Sequence, residues 1–243
     1  MRLALLVLAL AVLPACASGD EAAPVPAPPQ ASTPLSPEAS GESASEDSDA
    51  ITVVFFGDSL TAGYGLANPD ETAYPALLDA RMEASGVNAT VVNAGLSGET
   101  SAGGLRRVDW ALSNNTPDVF VLALGANDML RGQPATETEK NLRAIFDEVR
   151  EIAPEARLVL AGMEALPNLG RQFGETYRQL FRDVAADYDA AFIPFLLDGV
   201  AGVRDLNQRD GVHPTARGHE IMAETVWAAL EPIVRAEASG ARG

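Results

Sequence analysis

Ser59 lies in Gly57-Asp58-Ser59-Leu60, directly behind the apolar run 51–56, and one of only two histidines, His213, lies in Asp210-Gly211-Val212-His213-Pro214. A serine hydroxyl is a weak nucleophile at neutral pH until an imidazole takes its proton, and the imidazole needs a carboxylate to hold its tautomer. All three residue types occur here in the order Ser, Asp, His. Asp210 precedes His213 by three residues, a spacing that sets both side chains on one face of a helical turn and lets carboxylate meet imidazole. The chemistry of such a set is acyl transfer through a serine.

Two other positions suit the stabilisation of an oxyanion. Gly95, in Asn93-Ala94-Gly95, offers a backbone amide without a side chain, and Asn127, in Gly125-Ala126-Asn127-Asp128, offers an uncharged NH2 donor. Taken singly, each reads equally as a turn residue. Asp58 is read as a brace whose carboxylate bonds nearby backbone amides. His219, with Glu220 beside it, is read as a solvated helix position.

These residues need elements to hold them. Short apolar runs at 51–56, 90–92, 119–124, 158–160 and 191–195 read as strands buried on both faces, and segments with helical spacing follow at 74–83, 104–112, 138–152, 174–188 and 216–234. Five alternations of strand and helix predict a parallel sheet with right-handed crossovers, an α/β fold of three layers, α/β/α. In such sheets ligands bind at the carboxyl ends of the strands, where Ser59, Asn93 to Gly95, Gly125 to Asp128 and Asp210 to His213 are all expected to fall.

The chain ahead of that domain has a different composition. Arg2, an apolar stretch from Leu3 to Leu13 and the cluster Pro14-Ala15-Cys16-Ala17 read as an export signal, too short for a membrane span of about 20 residues. Leu13-Pro14-Ala15-Cys16 resembles the bacterial lipobox, which makes Cys16 a candidate for lipidation and the protein a candidate outer-membrane or periplasmic lipoprotein. Ala15-Cys16-Ala17 also fits ordinary cleavage after Ala17. Residues 17–49 are Ala, Pro, Ser, Glu and Asp with almost no large apolar side chains, and read as a disordered tether between the signal (1–16) and a folded domain at 50–236. Residues 237–243 read as a flexible tail.

Cys16 is the only cysteine, which excludes intramolecular disulfides and a cysteine nucleophile in the folded part. The chain carries a net charge of −17, and residues 51–243 hold 16 basic against 27 acidic side chains. That field disfavours nucleic acid as a partner and opposes polyanionic substrates such as acyl-CoA. With two histidines and no cysteine in the domain, a transition-metal site is not expected.

Taken in order, the blocks around Ser59, Gly95, Asn127 and His213 resemble the SGNH (GDSL) hydrolase superfamily over residues 51 to about 232. More narrowly, Gly57-Asp58-Ser59-Leu60-Thr61-Ala62-Gly63-Tyr64, Asn93-Ala94-Gly95-Leu96-Ser97-Gly98-Glu99-Thr100-Ser101 and Asp128-Met129-Leu130-Arg131-Gly132 are similar to its thioesterase I, arylesterase and lysophospholipase branch. Ala126 departs from that pattern, which often carries a second glycine there. The resemblance implies a flavodoxin-like sheet and attack by Ser59 on an acyl carbonyl. It further implies His213 as base then acid, Asp210 as its orienting partner, and an oxyanion hole made by the amides of Ser59 and Gly95 with the Asn127 side chain. It implies no metal and no cofactor. The expected substrates are small esters or lipids: aryl and acyl esters of short to medium chain, lysophospholipids and thioesters.

The connection 163–173 is unusually apolar, and Met163, Leu166, Leu169 and Phe173 are its candidates for an acyl groove. Two other readings stay open. Deacetylation of polysaccharides uses the same residues in other branches, although only Trp110 and Trp227 could stack a sugar. A tethered binding module without turnover is the non-enzymatic alternative, against which intact Ser59, Asp210 and His213 count.

Overall fold

The computed structural model describes residues 50–165 and 170–240. The expectations for 1–16, 17–49, Cys16, Leu166 and Leu169 lie outside the described residues.

The chain runs β1 (Ile51–Gly57), α1 (Ser59–Ala62), α2 (Pro69–Thr72), α3 (Tyr74–Ala84), β2 (Ala89–Gly95), α4 (Ser101–Leu105), α5 (Val108–Leu112), β3 (Val119–Ala123), α6 (Ala126–Leu130) and α7 (Ala135–Ile152). It continues through β4 (Arg157–Ala161), α8 (Arg171–Asp187), β5 (Ala191–Ile193), a 3₁₀ turn at Arg204–Leu206, and α9 (Ala216–Ala238). The sheet is parallel throughout with strand order β2-β1-β3-β4-β5, the flavodoxin-like order.

The burial follows from the apolar runs. Val53, Val54, Phe55 and Phe56 of β1 and Val119 to Leu122 of β3 are fully buried, because a central parallel strand has a helix layer over each face. Side chains alternate along β1. Phe55 meets Tyr74 of α3 edge-on at 5.6 Å, while Phe56 lies 5.7 Å from Phe120, which in turn meets Phe146 of α7 at 6.5 Å. Helices α3 and α9 pack on each other, and α7 packs against α4, α5 and α8. Right-handed crossovers account for this division, since the chain steps one way from β1 to β2 and the other way from there on.

Several boundaries depart from the sequence reading for local reasons. The helix expected at 104–112 is two short ones, because Arg107 takes φ −129 and ψ 0 and turns its side chain inward. Its guanidinium pairs with buried Glu99, lies 4.0 Å over the Phe56 ring, and donates to the carbonyls of Ala94 at 2.9 Å and Gly57 at 3.3 Å. This one side chain holds the ends of β1 and β2 together. Strand β5 stops at Ile193, where Pro194 has no N–H for the ladder. Helix α9 continues to Ala238, past the boundary expected at 236, with Glu237 buried.

The order of strands decides where a ligand fits. The chain leaves β1 to one side for β2 and returns on the other for β3, so the crevice at the carboxyl ends of β1 and β3 is the topological switch point. In register, Gly57 pairs with Gly95 on one side and Ala123 on the other. The loops carrying Ser59, Leu96 and Asn127 therefore start level with one another.

Candidate active site

Ser59 is the first residue of α1, and Asp58 caps that helix, its Oδ1 accepting the Leu60 N–H at 3.0 Å. The carboxylate thus does the capping and leaves the Ser59 hydroxyl available to His213. Close packing under this turn explains Gly57: a Cβ there would lie 2.1 Å from Thr61 Oγ1 and 2.9 Å from the Ala123 carbonyl.

Ser59 Oγ stands 3.0 Å from His213 Nε2, and His213 Nδ1 stands 2.7 Å from Asp210 Oδ2. The 210–213 segment is a turn and bend, not the helical turn that the spacing suggested. Asp210 Oδ1 accepts the N–H groups of Val212 at 2.9 Å and His213 at 3.0 Å, and Gly211 supplies the left-handed φ of 71° that closes the turn. The hydrogen bond to the imidazole, followed by these two amides, draws the Asp210 carboxyl down to about 2. The turn is clamped from outside: Gln208 N–H donates to the His213 carbonyl at 2.7 Å, and Gln208 Nε2 donates to Pro214 O at 2.9 Å and Tyr64 O at 2.7 Å. The Tyr64 ring, half exposed, lies 4.7 Å from the imidazole.

The expected oxyanion donors fare unequally. The Ser59 N–H, at the start of a helix, has no intrahelical acceptor. Asn127, in the first turn of α6, directs Nδ2 at Asp58 Oδ2, 3.1 Å away, and borders the same cavity as Ser59 and His213. Gly95 does not offer the amide expected of it, because its N–H donates to Asn93 Oδ1 at 3.0 Å. The glycine is needed for packing: a Cβ there would lie 2.3 Å from Ala62 N and 2.7 Å from Thr61 C. Three residues on, Gly98 has φ 79°, only Arg131 Nη2 within 4 Å of where a Cβ would stand, and an N–H with no acceptor among the described residues.

Beneath this rim lies a buried polar frame. Asp128 accepts from Ser101 N at 2.8 Å, Ser101 Oγ at 2.5 Å and Thr138 Oγ1 at 3.2 Å, tying α6 to α4 and α7. His219, expected in solvent, is 1% exposed. Its Nδ1 accepts the Tyr74 N–H at 3.2 Å and its ring stacks on Tyr74, because this face of α9 packs against α3 rather than facing water.

A cavity of about 150 Å³ opens beside Ser59 and is chiefly apolar. Of the expected groove residues Met163 lines it, whereas Phe173 packs on Tyr177 at 4.8 Å and does not border it. Leu60, Met129, Leu130, Leu197 and Val212 contribute instead. The sequence held a signal for some of these, since Leu130 and Val212 are apolar residues beside chemistry-bearing ones and remain exposed. Trp110 projects into solvent and Trp227 is buried in α9, and neither borders the cavity. Among the described residues, no group of three or more His, Cys, Asp or Glu side chains is arranged to hold a metal ion.

A serine hydroxyl, an imidazole and a carboxylate in one hydrogen-bonded line, at the switch point of a doubly wound sheet, define the serine-hydrolase class of α/β proteins. The chain belongs to the GDSL-like lipase/acylhydrolase family, whose sequence pattern matches residues 55–221. It is 37% identical over 185 residues to "Esterase TesA" of Pseudomonas aeruginosa, covering 76% of this chain and 90% of that one. It is 33% identical over 185 residues to "Thioesterase 1/protease 1/lysophospholipase L1" of Escherichia coli K12, covering 76% of this chain and 86% of that one. Among solved structures, TesA superposes with a TM-score of 0.71 at 36% identity, covering 75% of this chain and 99% of that one. Esterase EstA from Pseudoalteromonas sp., in a structure described as inhibited by monoethylphosphonate, gives 0.70 at 30% identity, covering 76% and 99%.

Proposed function

We propose that this chain is a serine esterase that cleaves aryl and short- to medium-chain acyl esters through an acyl-enzyme on Ser59. The observation that carries the reading is the line Ser59 Oγ, His213 Nε2, His213 Nδ1, Asp210 Oδ2, with spacings of 3.0 and 2.7 Å. Ser59 Oγ attacks the carbonyl carbon while its proton passes to Nε2 of His213. The tetrahedral oxyanion then collapses, and the same proton leaves with the departing alcohol or thiol. Water repeats the sequence on the acyl-enzyme, giving up a proton to His213 and releasing the acid and Ser59. Asp210, ionised across the working range, holds Nδ1–H and steadies the imidazolium.

The oxyanion donors in this reading are the Ser59 N–H and the Asn127 NH2. Gly98 replaces Gly95 as the third donor, since the Gly95 amide is bonded within its own strand end and the Gly98 amide has no acceptor among the described residues. The chiefly apolar lining of the cavity supports an acyl group as the part of the substrate held there. Lysophospholipids and thioesters enter as further substrates on the strength of the names borne by the relatives. Deacetylation of glycans is not favoured: neither tryptophan borders the cavity.

The same proposal takes residues 1–16 as an export signal with Cys16 as lipid acceptor and 17–49 as a tether, which would set the domain, running from about 50 to Ala238, in the periplasm or at the outer membrane. Support comes from the sequence around Cys16.

An organophosphonate should label the protein at Ser59, as read by mass spectrometry, and the Ser59→Ala variant should be neither labelled nor active on aryl esters. Label on another residue, or turnover by the variant, would overturn the reading. A panel of aryl esters of increasing chain length, lysophosphatidylcholine and acyl-CoA then ranks the substrates.

A further inference from the structure

Asp58 sits next to the nucleophile, is 2% exposed, and takes no part in the proton transfers described above. Its Oδ1 caps α1 through the Leu60 N–H. A cap alone does not call for a charge, since asparagine and serine cap helices as well as aspartate does. The other oxygen makes the difference. Oδ2 lies 3.1 Å from Nδ2 of Asn127, 69 residues away on the far side of the switch point.

A primary amide has a donor end and an acceptor end of nearly the same shape, and rotation by half a turn exchanges them. A carboxylate only accepts, so it selects the nitrogen. With one N–H of Nδ2 held by Asp58, the second N–H of that nitrogen is the group left to face the cavity that Ser59 and Asn127 share. The α6 backbone is already held by the three bonds to Asp128, which leaves side-chain rotation as the freedom that Asp58 removes.

We propose that Asp58 is a positioning residue for the oxyanion hole: its buried carboxylate fixes the amide orientation of Asn127, so that a donor and not a carbonyl meets the developing oxyanion. This rests on the serine-esterase reading and adds to it a fifth side chain, one that acts through Asn127.

In Asp58→Asn an NH2 group would stand against the NH2 of Asn127. The Asn127 amide would turn to offer its oxygen to the substituted side chain, and that oxygen would then also face the hole, where negative charge develops. The charge on Asp58 has the same meaning. Burial pushes its carboxyl up to about 6, against the bonds from Leu60 and Asn127 and the nearby His213, which lower it, while Asp128 raises it; Tyr74 also lies within its field. Protonated Asp58 is no longer an acceptor on both oxygens. Activity should therefore lose this alignment on the acid side.

The test is a cycle of Asp58→Asn, Asn127→Ala and the double variant, with kcat and KM on one short aryl ester and melting temperature for each protein. Asp58→Asn should lower kcat about 100-fold, as loss of an oxyanion donor does, with KM changed less than about threefold. In the Asn127→Ala background the same change should cost less than about threefold, because the group that Asp58 positions is gone. Equal losses in both backgrounds, or full kcat in Asp58→Asn, would overturn the proposal. A purely capping role predicts equal losses and a lowered melting temperature. A second reading needs no Asp58 variant: the acid limb of log kcat should be steeper in the wild type than in Asn127→Ala, and equal slopes count against it. The esterase reading is separated by Ser59→Ala, which must be inactive whatever the cycle shows.

Discussion

The Tyr74 N–H at the start of α3 donates to Nδ1 of His219 in α9 across 3.2 Å and 145 residues of sequence. Proline at the second position of α3 and an unhelped first turn leave that amide without an intrahelical partner, and the imidazole supplies the acceptor. The bond requires a neutral ring with its lone pair on Nδ1.

Burial, then the positive field of His213, draws the His219 pKa from 6.5 down to about 4. The unfolded chain therefore binds a proton that the folded one refuses. Stability from this group is complete above about 6.5 and is lost as pH falls toward 4, by on the order of 3 kcal/mol. Asp58, whose carboxyl is raised by burial, acts in the opposite sense between about 4 and 6, so the comparison must be between proteins. His219→Asn retains an acceptor in place of Nδ1. Thermal melts at pH 7.5 and pH 5 should show a smaller drop in the variant than in the wild type; equal drops would remove His219 as the cause.

Asn127→Ala should lower kcat by roughly 100- to 1000-fold on an aryl ester, the range for deletion of one oxyanion donor. The fold is expected to persist, since α6 is held through Asp128 and not through Asn127. Circular dichroism and a single-turnover assay check both halves.

Gly95→Ala should destabilise the protein by about 3 kcal/mol, toward the upper end for overpacking, because the new methyl meets the backbone of α1, which cannot swing aside. Gly98→Ala meets only Arg131 Nη2 at 3.8 Å and carries the cost of a left-handed φ, about 1–2 kcal/mol. Urea titrations of the two variants should rank them in that order.

Arg107→Ala should cost about 3–5 kcal/mol, because it leaves Glu99 buried and uncompensated and frees the carbonyls of Gly57 and Ala94. The double variant with Glu99→Ala should recover part of the loss. No recovery would mean that the carbonyl contacts, not the charge, carry the effect.

Much of the fold is legible in the sequence because burial leaves periodic marks. The run 119–124 has no polar interruption and 51–56 has one, Thr52 near its start, as strands covered on both faces require. The break within 104–112 is not legible, because it comes from Arg107 turning toward partners in β1, β2 and their loops, which no local pattern announces. The burial of His219 is hidden in the same way: beside Glu220 it has the look of a solvated position, and only the docking of α9 on α3 buries it.

From the sequence alone come the five strands, the chemistry-bearing types at their carboxyl ends, and the positions of Ser59, Asp210 and His213. Each of these is recorded in local order, as apolar runs, turn residues and a three-residue spacing. Tertiary structure alone decides which amides remain free, which residues line the cavity, and which carboxylate faces Asn127. Gly95 and Gly98 are three residues apart, yet one amide is bonded and the other open, because Asn93 folds back beside α1. The partnerships of Ser101 with Asp128 and of Ser59 with His213 join groups 27 and 154 residues apart, and they depend on strand order and helix packing, which bring distant backbone ends to one rim only after the core has formed.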